Sequence, residues 1–297
     1  MGWKKVKIEE WLHFVSILEK TGGVYTYKPM WSFRGQADSS WTLRPTLTRK
    51  LKSKKTVNLE NAKNLEQQLL AEFSTGFPAI SQSSPKDYVT YQRLRWLTFL
   101  QHYGGPTRLL DWSDSPFVAM YFACENEFKK DGVVFCFADS IFLAEQRKNN
   151  NHVKLKSEEE LLWSAQTSEV YQITTNFQNI RCLSQMGTFT FSTSPFDDHD
   201  DLIPKVFINV TEPERFCTKL IIPASLKLEF LSRLSVMGIS SATLFPGEEG
   251  FGRSFNIAAD LILETEKLIN SHGASRMVDD SMFKGGKRTH DMEKKST

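Results

Sequence analysis

Apolar residues recur along this chain in two rhythms, and their alternation sets out a mixed fold. Residues 6–20 place Ile8, Trp11, Leu12, Val15 and Leu18 at helical spacing, and Gly22-Gly23 close that helix. MWSFRG at 30–35 reads as a short strand ending at Gly35. Leu65, Leu69 and Phe73 mark a second helix over 59–74. Ser84-Pro85 opens a third, carrying Tyr88, Tyr91, Leu94, Trp96 and Phe99, because proline suits a first helical turn. Ser115-Pro116 repeats that device ahead of the apolar helix FVAMYFAC. GVVFCFA at 132–138 is a continuous apolar strand of the kind buried on both faces.

Further on, Ser157 and Glu160 form a capping-box pattern before Leu161, Leu162 and Trp163. MGTFTFST (186–193) alternates as a strand, and KLIIP (219–223) is another. A helix over Ser225–Met237 is closed by Gly238, SATLFP (241–246) reads as a strand, and RSFNIAADLILETEKLIN is the last helix. No repeat or linker interrupts 1–273. The expected architecture is α+β: a single mixed domain over 1–273, with a helical N-terminal third and a central, mostly antiparallel sheet. A disordered basic tail is expected over 274–297.

Composition narrows the functional classes. At 297 residues, 40% hydrophobic and 24% charged, the chain reads as an ordinary globular protein. It shows no secretory leader and no apolar run near the ~18 residues of a membrane span, so a cytoplasmic protein without membrane contact is expected. The four cysteines form no C-x-x-C pair; Cys124 and Cys136 lie in apolar runs and read as buried thiols. No metal site is expected. Net charge is +2, and outside residues 274–297 bases and acids balance, so the body is no nucleic-acid polyelectrolyte. The exception is RPTLTRKLKSKK at 44–55, with six cations and no acid: a solvated loop, or a contact for a phosphate backbone.

Three segments carry candidate chemistry. In QHYGGPTRLLDWSDSPFVAMYFAC (101–124), Gly104-Gly105-Pro106 makes a rigid turn and an extended segment runs to a helix start that favours an anion. His102, Tyr103, Arg108, Asp111, Ser113 and Ser115 can converge there. Alternatively Asp111 simply pairs with Arg108, and Ser115 is a cap. In WSFRGQ, Arg34 followed by Gly35 and Gln36 sits where a backbone can approach a ligand, and arginine clamps a phosphate or carboxylate bidentately. In LFPGEEGFGRSF, Gly247, Gly250 and Gly252 surround Glu248 and Glu249, read as a strand-to-helix turn without the spacing of a phosphate loop. A carboxylate there suits a ribose hydroxyl or an oxocarbenium-like transition state. FDDHDD at 196–201 reads as a solvated loop.

FRGQ at 33–36, the 101–123 stretch, RCLSQMGTFTF at 181–191 and TLFPGEEG at 243–250 stand in the order found in the FRG-domain family, which this chain resembles over roughly 25–260. That family places acidic residues at the positions of Gly247 and Glu249, so Glu249 is the better carry-over. Arg34-Gly35 and Ser113-Asp114-Ser115 with the following helix are also similar to the Arg–Ser–Glu class of ADP-ribosyltransferases. That resemblance implies an ADP-ribosyltransferase-like core and NAD as substrate. It makes Arg34 the pyrophosphate ligand, His102, Arg108 and Ser113 the shapers of the nucleotide pocket, and Glu249 the catalytic carboxylate. Arg34 and His102 join Glu249 as catalytic candidates; Arg34, Gly35, Gln36, His102, Tyr103, Arg108, Asp111, Ser113 and Ser115 are candidates for binding NAD. The acceptor would be RNA, DNA or protein, as for a toxin or anti-phage effector with a neutralising antitoxin. A non-catalytic nucleotide- or nucleic-acid-binding module and a glycosidic or phosphodiester hydrolase remain open.

Overall fold

The computed structural model describes residues 2–20, 31–54, 56–80, 92–149, 158–163, 168–173 and 187–272. The helix start at Ser84-Pro85, the cap at Ser157 and the tail from Ala274 lie outside them. The strands among the described residues form one seven-stranded sheet. β4 (Gly132–Ala138), the continuous apolar run, is buried at every residue. It is flanked antiparallel by β2 (Trp31–Gln36) and β7 (Cys217–Ile222). β1 (Lys4–Lys7) lies parallel beyond β7, where the sequence suggests the start of a helix; α1 begins later, at Trp11–Lys20. On the other side β3 (Leu109–Ser113), β6 (Gly187–Ser192) and β5 (Val170–Ile173) follow, all antiparallel, in the order β1-β7-β4-β2-β3-β6-β5. The fold is the expected α+β one, built on a single sheet.

Strand alternation sorts the two faces. On β4, Gly132, Val134 and Cys136 face α5 (Pro116–Cys124), while Val133, Phe135 and Phe137 join the opposite core. Glycine lets α5 lie directly on the sheet: a Cβ on Gly35 would stand 1.9 Å from the Ala119 carbonyl oxygen, and one on Gly132 2.2 Å from that of Ala123. α9 (Lys227–Val236) packs on α5. On the same face α3 (Leu59–Ile80) and α4 (Gln92–His102) bring Leu70, Leu94, Leu97 and Leu100 onto Leu109, Phe189 and Phe191. The other face is covered by α6 (Asp139–Asn149) and α8 (His199–Val206), whose Phe142 and Ile203 meet Leu110, Trp112, Phe135 and Phe137; α7 is the short Glu158–Leu162 turn.

α5 starts as the sequence dictates. Ser115 caps it, its hydroxyl accepting the Val118 N–H at 3.3 Å, with Pro116 in the first turn. Ser115→Ala is expected to cost about 1 kcal/mol, read as a lower urea midpoint at unchanged m value.

Three segments depart from the expectation. SATLFP is no strand: Ser240 and Thr243 form a capping box that opens the short helix α10 (Ser241–Leu244). α11 then begins at Glu248 and runs to His272, so the glycine-rich segment is helix from its first glutamate rather than a turn. The basic segment contains α2 (Thr46–Lys52), with Leu47, Thr48 and Leu51 buried. It is tied to FDDHDD, which is no solvated loop. Asp198 is buried and accepts Arg44 Nε and Nη2 at 2.7 and 2.6 Å and Lys52 Nζ at 3.0 Å. Burial raises a carboxyl pKa, yet these bonds hold Asp198 below its usual range.

Residues 1–254 form one compact unit and residues 255–297 a second, described to His272 as the remainder of α11. No helix among the described residues is long and apolar enough to cross a membrane.

Candidate functional site

β2 and β3 meet at one rung. Phe33 lies opposite Ser113 and the register goes no further, although β2 pairs with β4 from Trp31 to Gln36 and β3 pairs with β6 along its length. Past this rung the strands part. Arg34 enters the gap: Nη1 donates to the main-chain carbonyl of Asp111 at 2.7 Å and lies 3.7 Å from Oδ2 of the same residue. A side chain thus stands where ladder bonds would otherwise run.

The gap forms one wall of a cleft of about 220 Å³. β2 contributes Phe33, Arg34 and Gly35; β3 contributes Asp111, Trp112 and Ser113; α4 ends there with Gln101 and His102. Ala119 and Phe122 of α5 and Gly187 and Phe189 of β6 complete it. The side chain of Arg34 is 22% exposed and that of Asp111 49%. Arg34 Nε is buried with no partner among the described residues. Burial lowers the guanidinium pKa, Asp111 opposes this, and the positive charge of Arg49 adds to the lowering. Arginine stays protonated regardless, so the cleft holds a cation with donors to spare.

Gln101 aims Asp111. Its Nε2 donates to Asp111 Oδ2 at 2.9 Å, while Thr107 Oγ1 donates to its Oε1. Behind Arg34, Trp112 Nε1 donates to Thr190 Oγ1 at 2.8 Å, and that hydroxyl meets His199 Nδ1 at 2.9 Å. Burial, then the charge of Arg34, push the His199 pKa down to about 3 against the pull of Asp198, so the ring is neutral. Just past β3, burial and the neighbouring Asp139 push the Asp114 carboxyl up to about 6. A guanidinium, an imidazole, a half-exposed carboxylate and phenylalanine walls suit a ligand that is both anionic and aromatic.

Residues 29–132 match the family model of the FRG domain. The chain carries an FRG domain. No curated protein and no solved structure matches the chain. The matched span runs from the start of β2 to the first residue of β4, and it holds every residue of the cleft except Gly187 and Phe189. The motifs at 181–191 and 243–250 fall outside it.

The FRG domain brings Arg34, Gly35, His102, Asp111 and Ser113 to the cleft. Gln36 does not line it; Nε2 donates to the Thr42 carbonyl at 3.4 Å. Tyr103 is half exposed and packs 4.9 Å from the Phe77 ring. Ser115 is occupied in capping α5. Arg108, expected in the pocket, is fully buried elsewhere. It donates to Glu66 Oε2 at 2.7 Å and Oε1 at 2.9 Å, and to the carbonyls of Leu162 and Ser192, with Trp163 stacked 3.8 Å away. Fully buried among these partners, it does not line the cleft. Nor does Asp111 pair with Arg108; its cation is Arg34.

Glu249 is not among the lining residues. It is 65% exposed and pairs with Arg253 at 2.7 Å. Because α11 begins at Glu248, both glutamates are solvated acids at a helix N-terminus, a favourable place for them. Gln101, Phe122 and Phe189 were not singled out from the sequence. The period-two pattern of β6 does set Phe189 on the same face as Gly187, whereas Phe122 is indistinguishable from core in so apolar a helix.

Proposed function

We propose that the cleft of this FRG domain binds NAD as a substrate and breaks its N-glycosidic bond, in the manner of an ADP-ribosyltransferase. One observation carries the reading: Arg34 and Ser113, the two strand positions on which the resemblance rests, line one cleft beside the Phe33–Ser113 rung of β2 and β3. Arg34 holds a phosphate, since Nη1 alone is engaged by the main chain. Phe33, Phe122 and Phe189 offer apolar walls to a ring. The carboxylate in the cleft is Asp111, in the role the resemblance gives to Glu249. A phosphate on Arg34 competes with Asp111 for the guanidinium and leaves the carboxylate to the positive charge that develops on the ribose. The acceptor is water, nucleic acid or protein.

The test is calorimetric titration of wild type, Arg34→Ala and Asp111→Asn with NAD and ADP-ribose, with nicotinamide release followed by chromatography. Wild type is expected to bind and release nicotinamide. Arg34→Ala should weaken both ligands up to about 100-fold, since hydrogen bonds to a charged group contribute about 1.5–3 kcal/mol and 1.4 kcal/mol is tenfold. Asp111→Asn should retain binding and lose turnover. Binding without nicotinamide release would make the cleft a nucleotide-sensing module, and no binding of NAD would overturn the reading.

A further inference from the structure

The segment leading into α2 bridges the open end of the strand gap. At one end Gln36, the last residue of β2, donates to the Thr42 carbonyl; at the other the Leu47 N–H donates to the Thr107 carbonyl at 2.9 Å, two residues before β3. The helix is held firmly. Leu47 and Leu51 pack against Ala62 of α3, and Arg44 and Lys52 are stapled to Asp198. Those two cations share one carboxylate. Arg49, Lys50 and Lys54 are exposed, residues 42–54 contain no acid, and none of the three has an acidic partner among the described residues. The side chain of Arg49 reaches only Thr46 Oγ1, at 3.4 Å. Its charge is felt at Arg34.

Trp41 stands three residues before Arg44, on a turn closed by its N–H to the Asp38 carbonyl at 3.1 Å. It is 46% exposed and has no ring partner among the described residues. An indole left in water costs apolar hydration, and like charges clustered on α2 and just past its end repel one another. Both costs are offset by one class of ligand. Single-stranded nucleic acid supplies phosphates for the cations and unpaired bases for the ring, whereas in a duplex the base faces are already stacked.

We propose that α2 and Trp41 form a docking surface for single-stranded nucleic acid, with phosphates on Arg49, Lys50 and Lys54 and a base stacked on Trp41. It depends on no step in the cleft, so its test needs no NAD. The full-length chain is titrated into labelled single-stranded DNA and RNA of about 12 nucleotides, the matching duplex and a polyglutamate peptide, from about 50 to 300 mM salt, with anisotropy as readout. Single strands are expected to bind with a log–log salt slope of about −2, from three phosphates at about 0.7 each. The triple variant Arg49→Ala/Lys50→Ala/Lys54→Ala should lose that slope. Trp41→Ala should weaken binding about tenfold at an unchanged slope, and abolish the part of the indole quenching that wild type is expected to show on binding. All four positions are exposed, and a thermal melt checks that each variant folds. Absence of binding at the lowest salt, duplex or polyglutamate binding as tight as the single strands, or wild-type binding by the triple variant would each overturn the proposal.

Discussion

Gly35→Ala is expected to lower the melting temperature by on the order of 10 °C and to degrade the cleft with it. The new methyl carbon would lie 1.9 Å from the Ala119 carbonyl oxygen and 2.6 Å from the Ala123 nitrogen. Both are backbone atoms of α5, so no rotamer change relieves the overlap; the helix must lift from β2 and β4. Overpacking typically costs 1–3 kcal/mol where side chains can yield. With backbone on both sides about 3 kcal/mol or more is expected, and each kcal/mol moves the midpoint of a chain this size by about 2–4 °C. α5 also supplies Ala119 and Phe122 to the cleft, so weaker binding of any ligand follows from the same displacement. Gly252→Ala is the control. It lies in α11 with nothing within 4 Å of its would-be Cβ, and is expected to be neutral or to stabilise by up to about 1 kcal/mol. Calorimetric melting of the two variants checks both.

Arg108→Met should cost about 3–5 kcal/mol, the usual result of stranding one member of a buried ion pair. Glu66 is 2% exposed and would be left without its cation. The double variant Arg108→Met/Glu66→Leu is expected to recover part of the loss, because apolar replacement of a whole buried pair is often near neutral. The rest persists, since the Leu162 and Ser192 carbonyls still lose their donor. Urea unfolding supplies the free energies, and on the NAD-binding reading proposed above affinity per folded molecule should be unchanged in both variants. A ligand-binding Arg108 would give the reverse: an intact fold with lost affinity.

That contrast shows where local pattern stops informing. Elements governed by neighbouring residues were legible. The unbroken apolar run of β4, the Ser115 cap and the Arg34-Gly35 strand end each follow from a few consecutive residues. Arg108 was not, because its partner lies 42 residues earlier and nothing in the spacing points to Glu66. The basic segment looked solvated because six charges outweigh Leu47 and Leu51, although those two stand one helical turn apart and are what the core holds. SATLFP is too short for periodicity to separate strand from helix, and the Ser240–Thr243 capping box decided it. KKVK lacks the apolar alternation of a strand because it forms an edge whose lysines face solvent. Glu249 failed to reach the cleft for a related reason. Its glycines suggest a turn, but the segment is helical and both glutamates are exposed.

Phe33, Arg34 and Gly35 are successive residues with three separate duties. The first makes the only rung between two strands and walls the cleft, the second bridges the gap beyond it, and the third gives a helix its seat. The tripeptide is therefore a mechanical joint as well as a binding element. A descendant of this chain stripped of all chemistry would still draw stability from those three residues. Finding them in another protein identifies the joint, and says nothing about whether the cleft above it is in use.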